Sequence, residues 1–172
     1  MSFELQAKDL ELGESSGTFL LETLDEFRAA LDSMTPQAKR HIKIFTQELD
    51  HELYDQADFI RIASTICRQR NCTLSILLNN ADKCVRFGHR LVELQKRLPS
   101  SIEIRDIPAE YGEMNDEFII VDDIAMVKRF ALGYMRGHCE FRSIPDAVKN
   151  ARLFNEIWDR ATPCQALRRL HL

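Results

Sequence analysis

Asn115-Asp116-Glu117-Phe118-Ile119-Ile120-Val121-Asp122 is the stretch from which the architecture can be read. Four apolar residues in a row after Glu117 suit a strand buried on both faces, since an alternating pattern would leave one face wet. Asp122-Asp123-Ile124 is too short a link for anything but a hairpin, so Ala125 to Phe130 reads as its antiparallel partner. Working upstream, Ser101 to Ile107, Thr73 to Leu78, and the run holding Ile42, Ile44 and Phe45 up to about Glu48 are further strands. Between them lie helical spacings: Phe59, Ile62, Ala63 and Ile66 after Asp55, then Leu91, Leu94 and Leu98. Before them, Thr18 to Leu21 reads as a short strand, and Thr23 with Glu26 forms a capping box that starts a helix towards Ser33. A last helix starts near Pro145-Asp146 and lines up Ala147, Ala151, Phe154 and Trp158. Strand and helix alternate first and a hairpin follows. The expectation is therefore an α/β fold with one mixed β-sheet flanked by helices on both faces.

A chain of 172 residues with 45% hydrophobic content buries one sizeable core, placed here at residues 18–172. Residues 1–17 are acidic and end in Gly13, Ser15, Ser16 and Gly17, which predicts a flexible tail. Apolar runs are too short to cross a bilayer, and the first residues lack the basic start and apolar core of an export signal. Cys67, Cys72, Cys84, Cys139 and Cys164 make an odd set without a C-x-x-C pair, which predicts reduced thiols. These features point to a soluble, cytoplasmic protein without a membrane partner.

The net charge of -4 hides a split. From Arg61 to Arg97 eight bases face only Asp82 and Glu93, whereas Glu103 to Asp123 holds eight acids against Arg105 alone. Within the basic segment Arg86, His89 and Arg90 follow the Thr73–Leu78 strand, with Arg97 further along the next helix. Loops at that end of an α/β sheet collect ligands, so these four are the candidate site for a phosphate or carboxylate. His51 lies near Asp50, Glu52 and Asp55, but a turn rich in solvated acids is a poor metal cage, and no metal or other cofactor is expected. There is no G-x-G-x-x-G or Walker loop. His138 and Cys139 are neighbours on one strand and so point to opposite faces, which excludes a dyad.

Three stretches in order resemble the phospholipase D superfamily: Ala38 to Thr46 its first core strand, Thr73 to Leu78 the next, and Asn115 to Asp122 its motif strand. Phe154-Asn155-Glu156-Ile157-Trp158 is similar to its closing helix. The resemblance spans residues 18 to 162 and implies one half of such an enzyme. The superfamily motif is H-x-K-x-x-x-x-D, in which histidine attacks phosphorus and lysine holds phosphate oxygens. The matching positions here are Asn115, Glu117 and Asp122. An amide is no nucleophile, and a carboxylate in the lysine position repels phosphate. The Gly-Ser-x-Asn element that follows the motif is also replaced, by Met126 to Phe130. His41-x-Lys43-x-x-x-x-Glu48 fits the spacing with Glu for Asp, but it sits on the first strand rather than the late one.

The resemblance thus implies a phospholipase D-like module without catalysis, which recognises a protein partner or anionic ligand through Arg86 to Arg97. Because superfamily enzymes set two halves about a two-fold axis, it also implies a homodimer. Two alternatives remain: a former nuclease that still binds nucleic acid, and a phosphodiesterase-type enzyme using His41 or His89.

Overall fold

The computed structural model describes residues 1–130 and 135–169. Among these, eight strands form one sheet in the order β1-β7-β6-β5-β2-β3-β4-β8. Its centre is parallel: β2 (His41–Thr46), β3 (Thr73–Leu78) and β4 (Ile102–Asp106) run together. The hairpin of β5 (Glu117–Val121) and β6 (Ala125–Arg129) adds to β2 antiparallel, and β7 (Gly137–Glu140) and β1 (Phe19–Leu21) extend that side. The mixed sheet expected from the sequence is the one found. Gly137 is required where it stands, since a Cβ there would collide with the Lys128 carbonyl of the paired strand.

Two cores form because β2 and β5 bury both faces. Ile42, Ile44, Ile119 and Val121 meet α2 (Leu24–Met34), α4 (Ala57–Gln69) and α6 (Arg90–Arg97) on one side. Phe45, Leu77, Phe118 and Ile120 meet Ala147, Ala151, Phe154 and Ile157 of α7 (Ile144–Arg160) on the other. The Phe45 and Phe118 rings stack across the strands at 5.1 Å. Trp158, expected on the buried face of α7, is half-buried, and the Arg105 guanidinium lies 4.2 Å over its ring. The two-residue β8 (Thr162–Pro163) then pairs with β4.

The N-terminal segment departs from expectation. Residues 1–17, read as a flexible tail, begin with the helix α1 (Phe3–Ala7), whose Phe3 and Ala7 are buried in the larger core. Non-local bonds hold it. Ser33 Oγ donates to the Ala7 carbonyl, and the Gln37 side chain donates to the Leu10 carbonyl at 3.0 Å and accepts from the Leu12 amide at 2.7 Å. The domain therefore includes this segment, and at its other end residues 170–172 lie outside the described residues. The capping box is as read: Thr23 Oγ1 accepts from the Glu26 amide, and Glu26 accepts from that of Thr23.

Candidate functional site

The hairpin turn brings the motif strand to the edge of the parallel sheet. Asp122 and Asp123 both take positive φ, 53° and 56°, and Ile124 N donates to the Val121 carbonyl, the geometry of the tight turn that suits strand twist. Asp122 is 3% exposed, and its carboxylate accepts the Lys39, Arg40 and His41 amides at 2.8, 2.8 and 3.0 Å. Asp122, matched in the sequence to the motif aspartate, therefore clasps the segment entering β2.

At the other end of β5 lies Glu117, matched in the sequence to the motif lysine, and it is 2% exposed. One carboxylate oxygen accepts from Thr46 Oγ1 at 2.7 Å and from the Gln47 amide at 2.8 Å, while the other meets Arg129 Nη1 at 3.3 Å. Arg129 also reaches Asp50 at 2.9 Å. Gln47 continues the network to Asn79 at 2.9 Å and to the Met114 carbonyl at 2.6 Å. This lies at the C-terminal end of β2, where ligands of α/β sheets bind. Burial, helped by the Glu117 and Asp50 charges, keeps the neighbouring Tyr54 phenol well above its ordinary range and therefore protonated. Asn115, matched in the sequence to the motif histidine, is exposed before β5. The result is an internal ion pair at the end of β2, and among the described residues no histidine is bonded to Glu117 or Gln47.

The four expected ligand residues do not form one set. His89 is 3% exposed and its ring is used twice: Nδ1 accepts from the Leu91 amide at 3.1 Å, capping α6, and Nε2 donates to the Leu49 carbonyl at 3.0 Å. Burial lowers its pKa to about 4, so the ring is neutral at pH 7 and faces the interior. His89 is accordingly removed from the ligand set. Arg90 is held by Asp55, through Nε to the carboxylate at 2.6 Å and Nη2 to its carbonyl at 2.7 Å. Arg86 and Arg97 are exposed, but Arg97 closes α6 roughly 10 Å beyond Arg90 at the helical rise. Arg86 has other neighbours. It lies beside Phe87, 68% exposed, on α5 (Asp82–Phe87), and its guanidinium carbon is 5.9 Å from that ring's centre. Phe87, with no pattern around it to mark it, is a part of this exposed surface that sequence reasoning passes over.

The remaining candidates separate as well. His41 and Lys43 share Asp123, at 3.1 and 3.2 Å, while Glu48 pairs with Lys83 at 2.8 Å. Burial and Lys43 lower the His41 pKa against the pull of Asp123. Of the acids near His51, Asp50 serves Arg129 and Asp55 serves Arg90, and His51 Nε2 itself bonds the Gly88 carbonyl at 2.7 Å. Among the described residues no cluster of His, Cys, Asp or Glu is arranged to hold a metal ion. All five cysteines are free and buried, and burial raises the Cys67 and Cys84 thiols to about 11 and the Cys72, Cys139 and Cys164 thiols to about 12. No helix among the described residues is long and apolar enough to cross a membrane.

Comparison with solved structures gives the same fold. Nuc from Salmonella typhimurium, a phospholipase D family member, aligns with TM-score 0.65 at 12% identity, covering 87% of this chain and 99% of its own. NucT from Helicobacter pylori aligns with TM-score 0.65 at 12% identity, covering 87% and 100%. TrmBL2, an archaeal chromatin protein with a novel mode of DNA binding, aligns with TM-score 0.61 at 15% identity over 94% of this chain but only 59% of its own length. The fold is phospholipase D-like. By sequence no curated protein matches significantly, whereas the family model described as Domain of unknown function (DUF7931) matches residues 23–170.

Proposed function

The chain belongs to the DUF7931 family, and on that premise we propose that it is a non-catalytic phospholipase D-like binding or regulatory module. The observation that carries this reading is the Glu117–Arg129 pair. A substrate phosphate would have to displace a buried carboxylate already bonded to Thr46, Gln47 and Arg129, and among the described residues no histidine is bonded to that carboxylate to serve as the nucleophile of the superfamily reaction. The alternative catalysts are also poorly placed: His89 is enclosed, and His41 lies at the start of β2, with the Glu117 network at its end. Recognition of a protein partner or anionic ligand then falls to the exposed surface around Arg86, in a cytoplasmic homodimer.

The decisive experiment is hydrolysis of bis(p-nitrophenyl) phosphate and of DNA by the wild type, His41→Ala and His89→Ala proteins. The reading expects no turnover above buffer in any of them. Turnover by the wild type that disappears in His41→Ala would establish an enzyme instead. Sedimentation equilibrium tests the dimer separately, and a monomer at all concentrations removes that part of the reading.

A nucleic-acid-binding former nuclease is the second reading, favoured by the resemblance to TrmBL2, whose described role is DNA binding. Salt-dependent anisotropy of a labelled oligonucleotide decides it, since phosphate contacts weaken steeply as salt rises.

A further inference from the structure

Resting on the binding-module reading, we propose that the groove between α5 and α8 (Gln165–Arg168) docks an acidic protein segment that carries an apolar anchor residue. The groove is open, offers about 820 Å³, and is lined by Lys83, Val85, Arg86 and Phe87 on α5 and by Ala166 and Arg169 at α8, with Asp82 as the one acid among its lining residues. The α5 helix presents its apolar residues outwards: Phe87 is 68% and Val85 39% exposed, while Cys84 alone of α5 is turned into the core. Three cations frame these apolar side chains. Lys83 keeps 58% of its side chain exposed even while paired with Glu48, so its ammonium retains free donors.

Charge and apolar surface together choose the occupant. A ligand that fills this groove must bring negative charge for Lys83, Arg86 and Arg169 and apolar area for Phe87 and Val85. An acidic segment with a leucine or phenylalanine supplies both, in the manner of anchor residues surrounded by a polar rim. A nucleic-acid strand is a poorer fit. Val85 offers no face for base stacking, Phe87 is the one aromatic residue among those lining the groove, and a chain of pI ≈ 5.8 provides little basic track beyond it. A compact charge cluster next to an apolar notch suits a short peptide.

The test is fluorescence anisotropy of the full chain with a labelled peptide of alternating Glu and Leu, about ten residues long, an amphipathic acidic probe. Saturable binding at low salt is expected, weakened about tenfold or more in Phe87→Ala and in Arg86→Glu, the loss typical of anchor removal. A peptide of alternating Glu and Ser should bind at least several-fold more weakly. Equal binding of the two peptides, unchanged affinity in Phe87→Ala with an unaltered melting curve, or preference for an oligo-dT probe over the Glu-Leu peptide would each overturn the proposal. Phosphodiesterase turnover is measured on the same samples. Absent binding with absent turnover removes this inference alone, whereas turnover removes the module reading beneath it.

Discussion

Glu117 and Arg129 sit directly opposite each other on β5 and β6, and their side chains meet at 3.3 Å with 3% and 7% of their surface exposed. A buried pair is a poor source of net stability, yet removing one partner strands the other charge in the interior. Arg129→Met should therefore destabilise the protein by about 3–5 kcal/mol. The double variant Glu117→Gln/Arg129→Met should recover a large part of that loss. Urea unfolding of both variants checks the relationship, and a single variant as stable as the wild type would show that the pair is not needed.

His89 gives the protein a pH dependence whose sign follows from its pKa of about 4, below the ordinary histidine value of 6.5. Between these values the unfolded chain takes up a proton that the folded chain refuses, so stability is full above about pH 6.5 and falls as pH drops towards 4. The loss across this window should be about 3 kcal/mol, at 1.36 kcal/mol per pKa unit. His89→Asn, which keeps a capping side chain for α6, should flatten that part of the curve. Denaturant unfolding at pH 7 and near pH 4.5 measures it.

Phe3 tests whether the N-terminal helix belongs to the fold. Its ring lies 5.7 Å from that of Phe19 and is 9% exposed. Phe3→Ala should cost about 3 kcal/mol, the lower end for a core aromatic, because 9% of the residue is still exposed. Thermal unfolding of Phe3→Ala reads this directly. Unchanged stability would mean that the segment contributes nothing.

The cysteines should be unreactive in the folded protein. The thiolate is the attacking species, and thiols raised to about 11 or 12 hold little of it at neutral pH. Ellman's reagent should label all five quickly in denaturant and none quickly without it. Rapid labelling of one thiol in native protein would locate a site that opens.

The central strands are legible because their residues need no distant partner to declare them: Thr73 to Leu78 and Glu117 to Val121 are β-prone wherever they fold. The helices α4 and α7 announce themselves by apolar spacing in the same way. What escapes a reading of sequence depends on partners far along the chain. The helix α1 spans five residues, too few to be stable alone, and is held by Ser33 at Ala7, while Gln37 holds Leu10 in the segment that follows. Glu117 stands out in the sequence as an acid at the head of an apolar strand, but its counter-ion follows only once the turn length sets Arg129 opposite it. His89 looks like a ligand beside two arginines until Leu49, forty residues earlier, supplies the carbonyl that turns its ring inwards. The exposure of Phe87 is equally hidden, because Gly88 (φ 72°) ends α5 and redirects the chain.

The clasp made by Asp122 has one more consequence, for the way the molecule opens. A single side chain bonds three successive amides from about eighty residues earlier, so the hairpin cannot peel from the sheet without releasing the amides of Lys39, Arg40 and His41 at the same moment. The Lys39 and Arg40 amides belong to the link before β2 and that of His41 opens the strand, yet their exchange with solvent deuterium reports on β5 and β6. The two halves of the sheet, one parallel and one antiparallel, are thereby bound into one cooperative unit, in which protection is gained or lost together.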